Sequence, residues 1–126
     1  MKFEFEWLVP DLVCKVVLPA DFKDAVLEEY DQMLVEILDK MTHKIHLIAD
    51  LSAVKNSASM NQARKLKHPR HPNMGRVLMI GMQANTIVRF IASLVAQAAG
   101  VSYKSFGTYQ EVLAYLEQME GIQIAS

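Results

Sequence analysis

The fold of this chain is decided by one stretch, His46-Leu47-Ile48-Ala49-Asp50-Leu51-Ser52-Ala53-Val54. The stretch starts as a mostly apolar run with the length of a buried strand, and the run ends in an aspartate and a hydroxyl residue. Open α/β sheets usually keep their functional groups at the carboxyl ends of such strands. We therefore expect a central strand from Ile45 to Ala49, with Asp50 and Ser52 at the rim of the sheet.

Two strand signals precede this stretch. Phe3, Phe5 and Trp7 alternate with charged residues, which is typical of a strand with one buried face. A second strand is predicted from Val13 to Leu18. The turn at Pro10-Asp11 between them is so short that we expect the two strands to pair in antiparallel fashion.

A long amphipathic helix is predicted between the second strand and the central strand. We expect Asp21 to be its N-cap, and apolar residues recur at helical spacing as far as Met41. Its acidic residues are predicted to form an outer face in contact with water; they are Asp24, Glu28, Glu29, Asp31, Glu36 and Asp39.

After the central strand, Ser59 opens a capping-box pattern that predicts a short helix to about Lys67. The two prolines in residues 68–73 exclude regular structure there. Arg76 to Ile80 is the next predicted buried strand.

Three further elements complete the chain. A very apolar helix is predicted from Asn85 to about Ala99, with Gly100 at its C-cap. A last strand is expected from Val101 to Phe106. A second capping box at Thr108 starts the final helix, which Gly121 ends.

The resulting order, ββαβαβαβα, predicts a single α/β domain over residues 1–126, with a mixed, mostly parallel sheet flanked by helices. The chain has 126 residues, of which 52% are hydrophobic, and this suits one core. A formal net charge of -1 gives no global attraction to nucleic acid or to anionic membranes.

Cysteine usage and hydropathy indicate a cytoplasmic protein. Cys14 is the single cysteine, so no internal disulfide can form, and a reducing compartment is favoured. The N-terminus has no secretory signal pattern. The longest apolar stretch, residues 87–100, contains Arg89 and Gln97 and is too short to span a bilayer.

With this element order, Asp50-Leu51-Ser52-Ala53-Val54 resembles the Asp-Leu-Ser-x-Val stretch of STAS domains, the fold of bacterial anti-anti-sigma factors, and of STAS-like domains related to lipid-binding SEC14 modules. The close of the chain, residues 102–116, is also similar to that family. The resemblance covers about residues 3–118 and implies a regulatory module that binds a protein partner.

The resemblance also implies a phosphorylation site, because the family continues into an Asp-Ser-Ser/Thr-Gly motif whose hydroxyl residue is phosphorylated by a partner kinase. This chain has Ser57 and Ser59 there, without the Asp and the Gly. These two serines are the candidates for modification. The competing interpretation is that Ser59 is an N-cap.

The remaining chemistry is concentrated in a basic cluster after the short helix. It comprises Arg64, Lys65, Lys67, His68, Arg70, His71 and Arg76. Such a cluster can bind a phosphate group or an acidic partner, or it can be a solvated mobile loop. His68 and His71 have a spacing that can share a metal, but no nearby Cys, Asp or Glu completes a ligand set, so we expect none. No aromatic residues interleave with the bases, which argues against nucleic acid.

We therefore expect a non-catalytic module without a cofactor. The predicted contact surface for a protein partner comprises Asp50, Ser52, Ser57, Ser59, Arg64, Lys67, His68, Arg70 and His71. An alternative is a SEC14-like module for a lipid or anionic metabolite, with Arg64, Lys67 or Arg70 holding the head group beside the helix of residues 87–99. An enzyme using Asp50 with a serine or histidine is a third alternative. A homodimer is compatible with the exposed strand edge.

Overall fold

A computed structural model gives the structure of the protein and describes residues 3–57, 59–81 and 103–124. In chain order the elements are β1 (Glu4–Val9), β2 (Val13–Val17), β3 (Asp21–Phe22), α1 (Asp24–Asp39), β4 (Ile45–Asp50), β5 (Asn56–Ser57), α2 (Met60–Arg64), a 3-10 turn (His68–Arg70), β6 (Met74–Ile80), β7 (Tyr103–Phe106) and α3 (Tyr109–Glu120). The helix predicted from Asn85 to Ala99 and its Gly100 cap lie outside the described residues.

The described strands form a mixed sheet in the order β1-β2-β4-β6-β7, which confirms an α/β fold. β1 pairs with β2 in antiparallel fashion, and the other three pairings are parallel. β4 is central, as predicted, and its final residue Asp50 is in register with Val17 and Ile80 on the strands to either side. The carboxyl ends of these parallel strands therefore meet at one edge of the sheet.

The sheet is covered on both faces, and β4 shows why. Ile45 and Leu47 belong to the hydrophobic cluster that includes the buried residues of α1. Ile48 belongs to a second cluster with Val112 and Leu116 of α3. Since neighbouring strand residues point to opposite faces, the apolar run of β4 needs a helix on each side of it.

The start of α1 departs from the sequence prediction. Asp21 is not its N-cap, because residues 21–22 form β3, which pairs in parallel with β5 in a separate two-stranded sheet. The chain is therefore still extended at Asp21, and α1 begins three residues later with Lys23 as its N-cap. No side chain hydrogen-bonds at that cap.

The predicted starts of α2 and α3 and the predicted end of α3 are confirmed. The end of α2 is not, because the helix stops at Arg64 and the N–H of Lys67 bonds to Asp31 instead of continuing the helix. The N–H of Glu111 donates to Thr108 Oγ1 over 3.2 Å, and the N–H of Gln62 donates to Ser59 Oγ over the same distance. Gly121 ends α3 with a φ of 65°, a left-handed conformation that glycine adopts without strain. The prolines do not exclude all regular structure, since the chain forms one 3-10 turn with Pro at its start.

Candidate functional site

Residues 59–73, here called the basic segment, run beside α1 in the same direction as that helix. At the start of the segment, the Ser59 N–H and Oγ donate to the two carboxylate oxygens of Asp24, over 2.7 and 3.1 Å. Asp31 holds the middle of the segment and Asp39 holds its far end. The three aspartates are each about two helical turns apart, so they lie on one side of α1.

The central attachment is a buried pair between Asp31 and His68. The Asp31 carboxylate accepts from three donors: the N–H of Lys67 at 3.0 Å, the N–H of His68 at 2.9 Å and the His68 ring Nδ1 at 2.6 Å. Asp31 and His68 are 8% and 5% exposed. The His68 ring also meets the ring of Tyr30 edge to face, at 5.2 Å between centroids.

Burial and the neighbouring partner shift the pKa of each member of this pair in opposite directions. Burial raises the pKa of the Asp31 carboxyl, but the hydrogen bonds and charge of His68 and the N–H of Lys67 outweigh it and hold that pKa below its usual value. For His68, burial prevails over the attraction of Asp31 and lowers the pKa of the imidazole. The pair at neutral pH is therefore a carboxylate that accepts from a neutral ring, with the proton on Nδ1.

The end of the basic segment is fixed to the carboxyl end of α1. The Asn73 N–H donates to His71 Nδ1 over 3.0 Å, so the ring proton is on Nε2, which donates to Asp39 over 2.8 Å. The Asn73 side-chain amide donates to the carbonyls of Leu38 and Met41, over 3.0 and 2.9 Å. The Leu38 carbonyl also accepts the main-chain N–H of Met41 over 3.1 Å, so Asn73 adds a further donor where α1 ends.

The long cationic side chains of the basic segment form none of these bonds to α1. Four side chains, here called the basic strip, are exposed and form no ion pair with a described carboxylate; they are Arg64, Lys65, Lys67 and Arg70. Arg70 donates to the Leu66 carbonyl over 3.3 Å. The side of α1 that meets this segment binds its imidazoles and main-chain N–H groups and leaves these four cations unpaired by a described carboxylate. The basic strip is therefore available to carboxylates or phosphates of another molecule.

Arg76 does not belong to this strip. It lies in β6, and its guanidinium pairs with Glu120 of α3 and donates to the Tyr115 hydroxyl over 2.8 Å. Its N–H donates to His46 Nδ1 over 3.0 Å. Burial lowers the pKa of the His46 imidazole. The negative charge of Glu120 raises this pKa and the positive charge of Arg76 lowers it further, and the net result is a lowered pKa. These residues fasten α3 to the sheet.

The rim residues of the sequence prediction form a tight turn. The Asp50 carboxylate accepts the N–H of Ser52 over 2.9 Å, and Ser52 is exposed. Gly81, at the end of β6, has a φ of 79°, and a Cβ there would lie 2.5 Å from Ser52 Oγ. Ser57 pairs with Phe22 across the small sheet. Asp50 and Ser52 are therefore together, whereas Ser59 is joined to Asp24.

The predicted contact surface is divided by the structure. Ser59 bonds to Asp24, the first residue of α1, and His71 bonds to Asp39, the last. Asp24 and Asp39 are about 22 Å apart along the helix axis. His68 is buried, so it is not a contact residue on any surface. Among the members whose side chains the structure describes, Asp50 and His71 are half-buried, and the exposed ones are Ser52, Ser59, Arg64, Lys67 and Arg70.

The four histidines all have partners inside the fold. His43 Nε2 lies 2.6 Å from the Asp11 carbonyl, and the other three bind the Arg76 N–H, Asp31 and Asp39. None of them hydrogen-bonds a serine among residues 3–57, 59–81 and 103–124. Burial raises the pKa of the Cys14 thiol to about 12, so that thiol is not a nucleophile at neutral pH.

The attachment by three aspartates was missed by sequence reasoning, which assigned them to a solvated outer face. The available signal was their spacing on α1, which places Asp24, Asp31 and Asp39 in one stripe. The spacing alone does not show that these aspartates bind the basic segment, because that segment has no periodic sequence pattern that would predict its position.

The chain matches no protein-family model, and no curated protein or solved structure shows significant similarity to it. Among the described residues, no helix is both long and apolar enough to cross a membrane.

Proposed function

We propose that the protein is a non-catalytic, STAS-like regulatory module that binds a protein partner through the basic strip. The observation that carries the proposal is the division of the basic segment into two sides. Its imidazoles and main-chain N–H groups are used by α1, while Arg64, Lys65, Lys67 and Arg70 remain exposed without a described carboxylate partner. A partner with an acidic surface complements that side.

The extent of the segment favours a protein over a small molecule. The segment is anchored at both ends of a helix about 24 Å long, and the cations lie between these anchors. One small anionic group cannot contact a surface of that length, whereas a protein interface can. The lipid or metabolite alternative depends on a helix at residues 87–99, which lies outside the described residues.

The STAS-like assignment is supported by the element order and by the stretch Asp50 to Val54. An N-terminal antiparallel hairpin precedes the parallel strands, as in that family, and Asp50 ends the central strand. The bonds of Ser59 to Asp24 and to the start of α2 support the capping role of this serine. Phosphorylation of Ser57 or Ser59 stays a prediction.

The test is a quantitative comparison of proteins retained from an extract of cells that express the chain. The immobilised variant Arg64→Glu with Lys65→Glu is compared with the wild type and with a control that reverses the exposed Lys40 and Lys44 to glutamate. Both double variants change the net charge equally. Thermal melting of each variant establishes that it is folded.

We expect the basic-strip variant to lose at least about 90% of any specifically retained protein, because like charges then face each other, while the control retains it. Raising the salt concentration lowers retention by the wild type. Equal retention by both variants would refute the basic strip as the contact surface.

A further inference from the structure

The outer side of α1 carries a second strip, of opposite charge, next to the basic strip. Glu28, Glu29 and Glu36 are exposed, and none of them forms an ion pair with a described cation. They are here called the acidic strip. Gln32 lies between them and donates to Glu36 over 3.2 Å.

The two strips run side by side because of how α1 is used. One side of the helix packs on the sheet through residues such as Leu34 and Leu38, and the flank with Asp31 holds the basic segment. The positions that remain for water on a helix of 3.6 residues per turn include Glu29 and Glu36. The acidic strip therefore follows the helix, and the basic strip follows the segment beside it.

Two parallel strips of opposite charge on one face are complementary to a copy of themselves. A two-fold axis that runs along the groove between the strips turns a second copy over, and its acidic strip then faces the basic strip of the first copy. The same operation places the first acidic strip on the second basic strip. Both sets of charges are satisfied in one closed, isologous contact.

We infer that this face forms a symmetric homodimer, in which α1 of each copy faces the basic segment of the other. The inference rests on the proposed function, since it identifies the acidic partner of the basic strip as a second copy of this chain. A formal net charge of -1 per chain means that two copies repel each other little as whole molecules.

The contact is electrostatic and therefore sensitive to salt. Exposed ion pairs are individually weak and are screened within the Debye length. We expect the dimer dissociation constant to rise about tenfold or more between 50 mM and 500 mM NaCl.

The experiment is a charge exchange followed by sedimentation equilibrium of the full chain at 50 mM NaCl. One variant carries Lys65→Glu and Lys67→Glu, and the other carries Glu29→Lys and Glu36→Lys. A homodimer of either variant would place like charges against each other in both of its contacts. We therefore expect each variant alone to be a monomer of about 14.2 kDa. In an equimolar mixture both contacts pair opposite charges, so a dimer of twice that mass returns.

A control mixture separates specific pairing from the attraction of two oppositely charged molecules. Here Lys40→Glu with Lys44→Glu replaces the first variant and has the same net charge, but its basic strip is intact and meets the new lysines of the second variant. We expect this mixture to associate at least about tenfold more weakly than the charge-exchange mixture.

Three results overturn the homodimer: a wild type that remains monomeric up to about 1 mM, variants that dimerise as well as the wild type, and a charge-exchange mixture no tighter than the control. The proposed function fails on a different measurement. If the chain is monomeric but the Arg64 and Lys65 reversal still abolishes protein retention, the basic strip has another acidic partner, and only the homodimer is refuted.

Discussion

Replacing Asp31 with asparagine removes the charge that holds the middle of the basic segment. The carboxylate is in a residue that is 8% exposed, and it accepts from the N–H of Lys67, the N–H of His68 and the His68 ring. The asparagine keeps one oxygen acceptor, and its amide group faces N–H donors that it cannot satisfy.

The magnitude follows from these three bonds. A hydrogen bond to a charged group contributes about 1.5–3 kcal/mol, and a buried donor left without an acceptor costs about 1–3 kcal/mol. Because one acceptor oxygen remains, we expect Asp31→Asn to lower the free energy of unfolding by about 3 kcal/mol. That is a large part of the total of about 5–15 kcal/mol for a domain.

Asp39→Asn is the matched control, since it makes the same chemical change on the same side of α1. The Asp39 side chain is 63% exposed and binds His71 alone among the described side chains. Its replacement should cost no more than about 1 kcal/mol.

The assay is equilibrium unfolding in urea at pH 7, followed by the fluorescence of the single tryptophan, Trp7 in β1. The slope of the transition shows whether both variants unfold the same surface. Hydrogen exchange adds a local measurement: amides of residues 65–73 should exchange faster in Asp31→Asn, while those of α3 are unchanged. Equal losses of stability in Asp31→Asn and Asp39→Asn would refute this account of the attachment.

Three further predictions concern the same framework. The pKa of His68 is lowered in the folded chain, so as the pH falls below about 6.5 the unfolded chain takes up a proton first and the free energy of unfolding declines. His68→Asn keeps a side-chain donor but does not titrate. Urea titrations should therefore show a smaller decline between pH 7 and pH 5 in this variant than in the wild type. Gly75→Ala places a Cβ 2.7 Å from a carbonyl of β4 and should lower the free energy of unfolding by about 1–3 kcal/mol. At Gly107 the nearest atom is 3.4 Å away on a flexible glutamate, so Gly107→Ala should lower it by less than about 0.5 kcal/mol. Equal melting temperatures of the two variants would contradict this prediction. Ser59→Ala removes the cap of α2 and should cost about 1 kcal/mol, while Ser59→Thr retains most of that stability; a threonine variant as unstable as alanine would argue against capping.

The sequence predicts what is local and periodic in this fold. Alternation identified β1, the apolar run identified β4, and the capping box placed the start of α3 within one residue. Each of these signals is contained in a few neighbouring residues. The short turn predicted the antiparallel pairing of β1 with β2, and the helices between the later strands predicted parallel pairs.

Long-range pairings without a periodic signal could not be predicted. β3 and β5 have two residues each, too few to show a period, and their pairing displaced the start of α1 from Asp21. The orientation of the basic segment is similar: His68 and Arg70 are both basic in the sequence, yet one is buried against Asp31 and the other is exposed. That difference depends on a carboxylate more than 35 residues away.

The attachment of the basic segment has a consequence for protein engineering. The contacts that hold it on α1 use main-chain donors, the Ser59 hydroxyl, two imidazoles and one asparagine amide, and the side chains of the basic strip form none of these contacts. The outward positions can therefore be randomised without changing the framework beneath them. The segment is a scaffold for selection, on which a library at positions 64, 65, 67 and 70 would yield new binding specificities from one unaltered core.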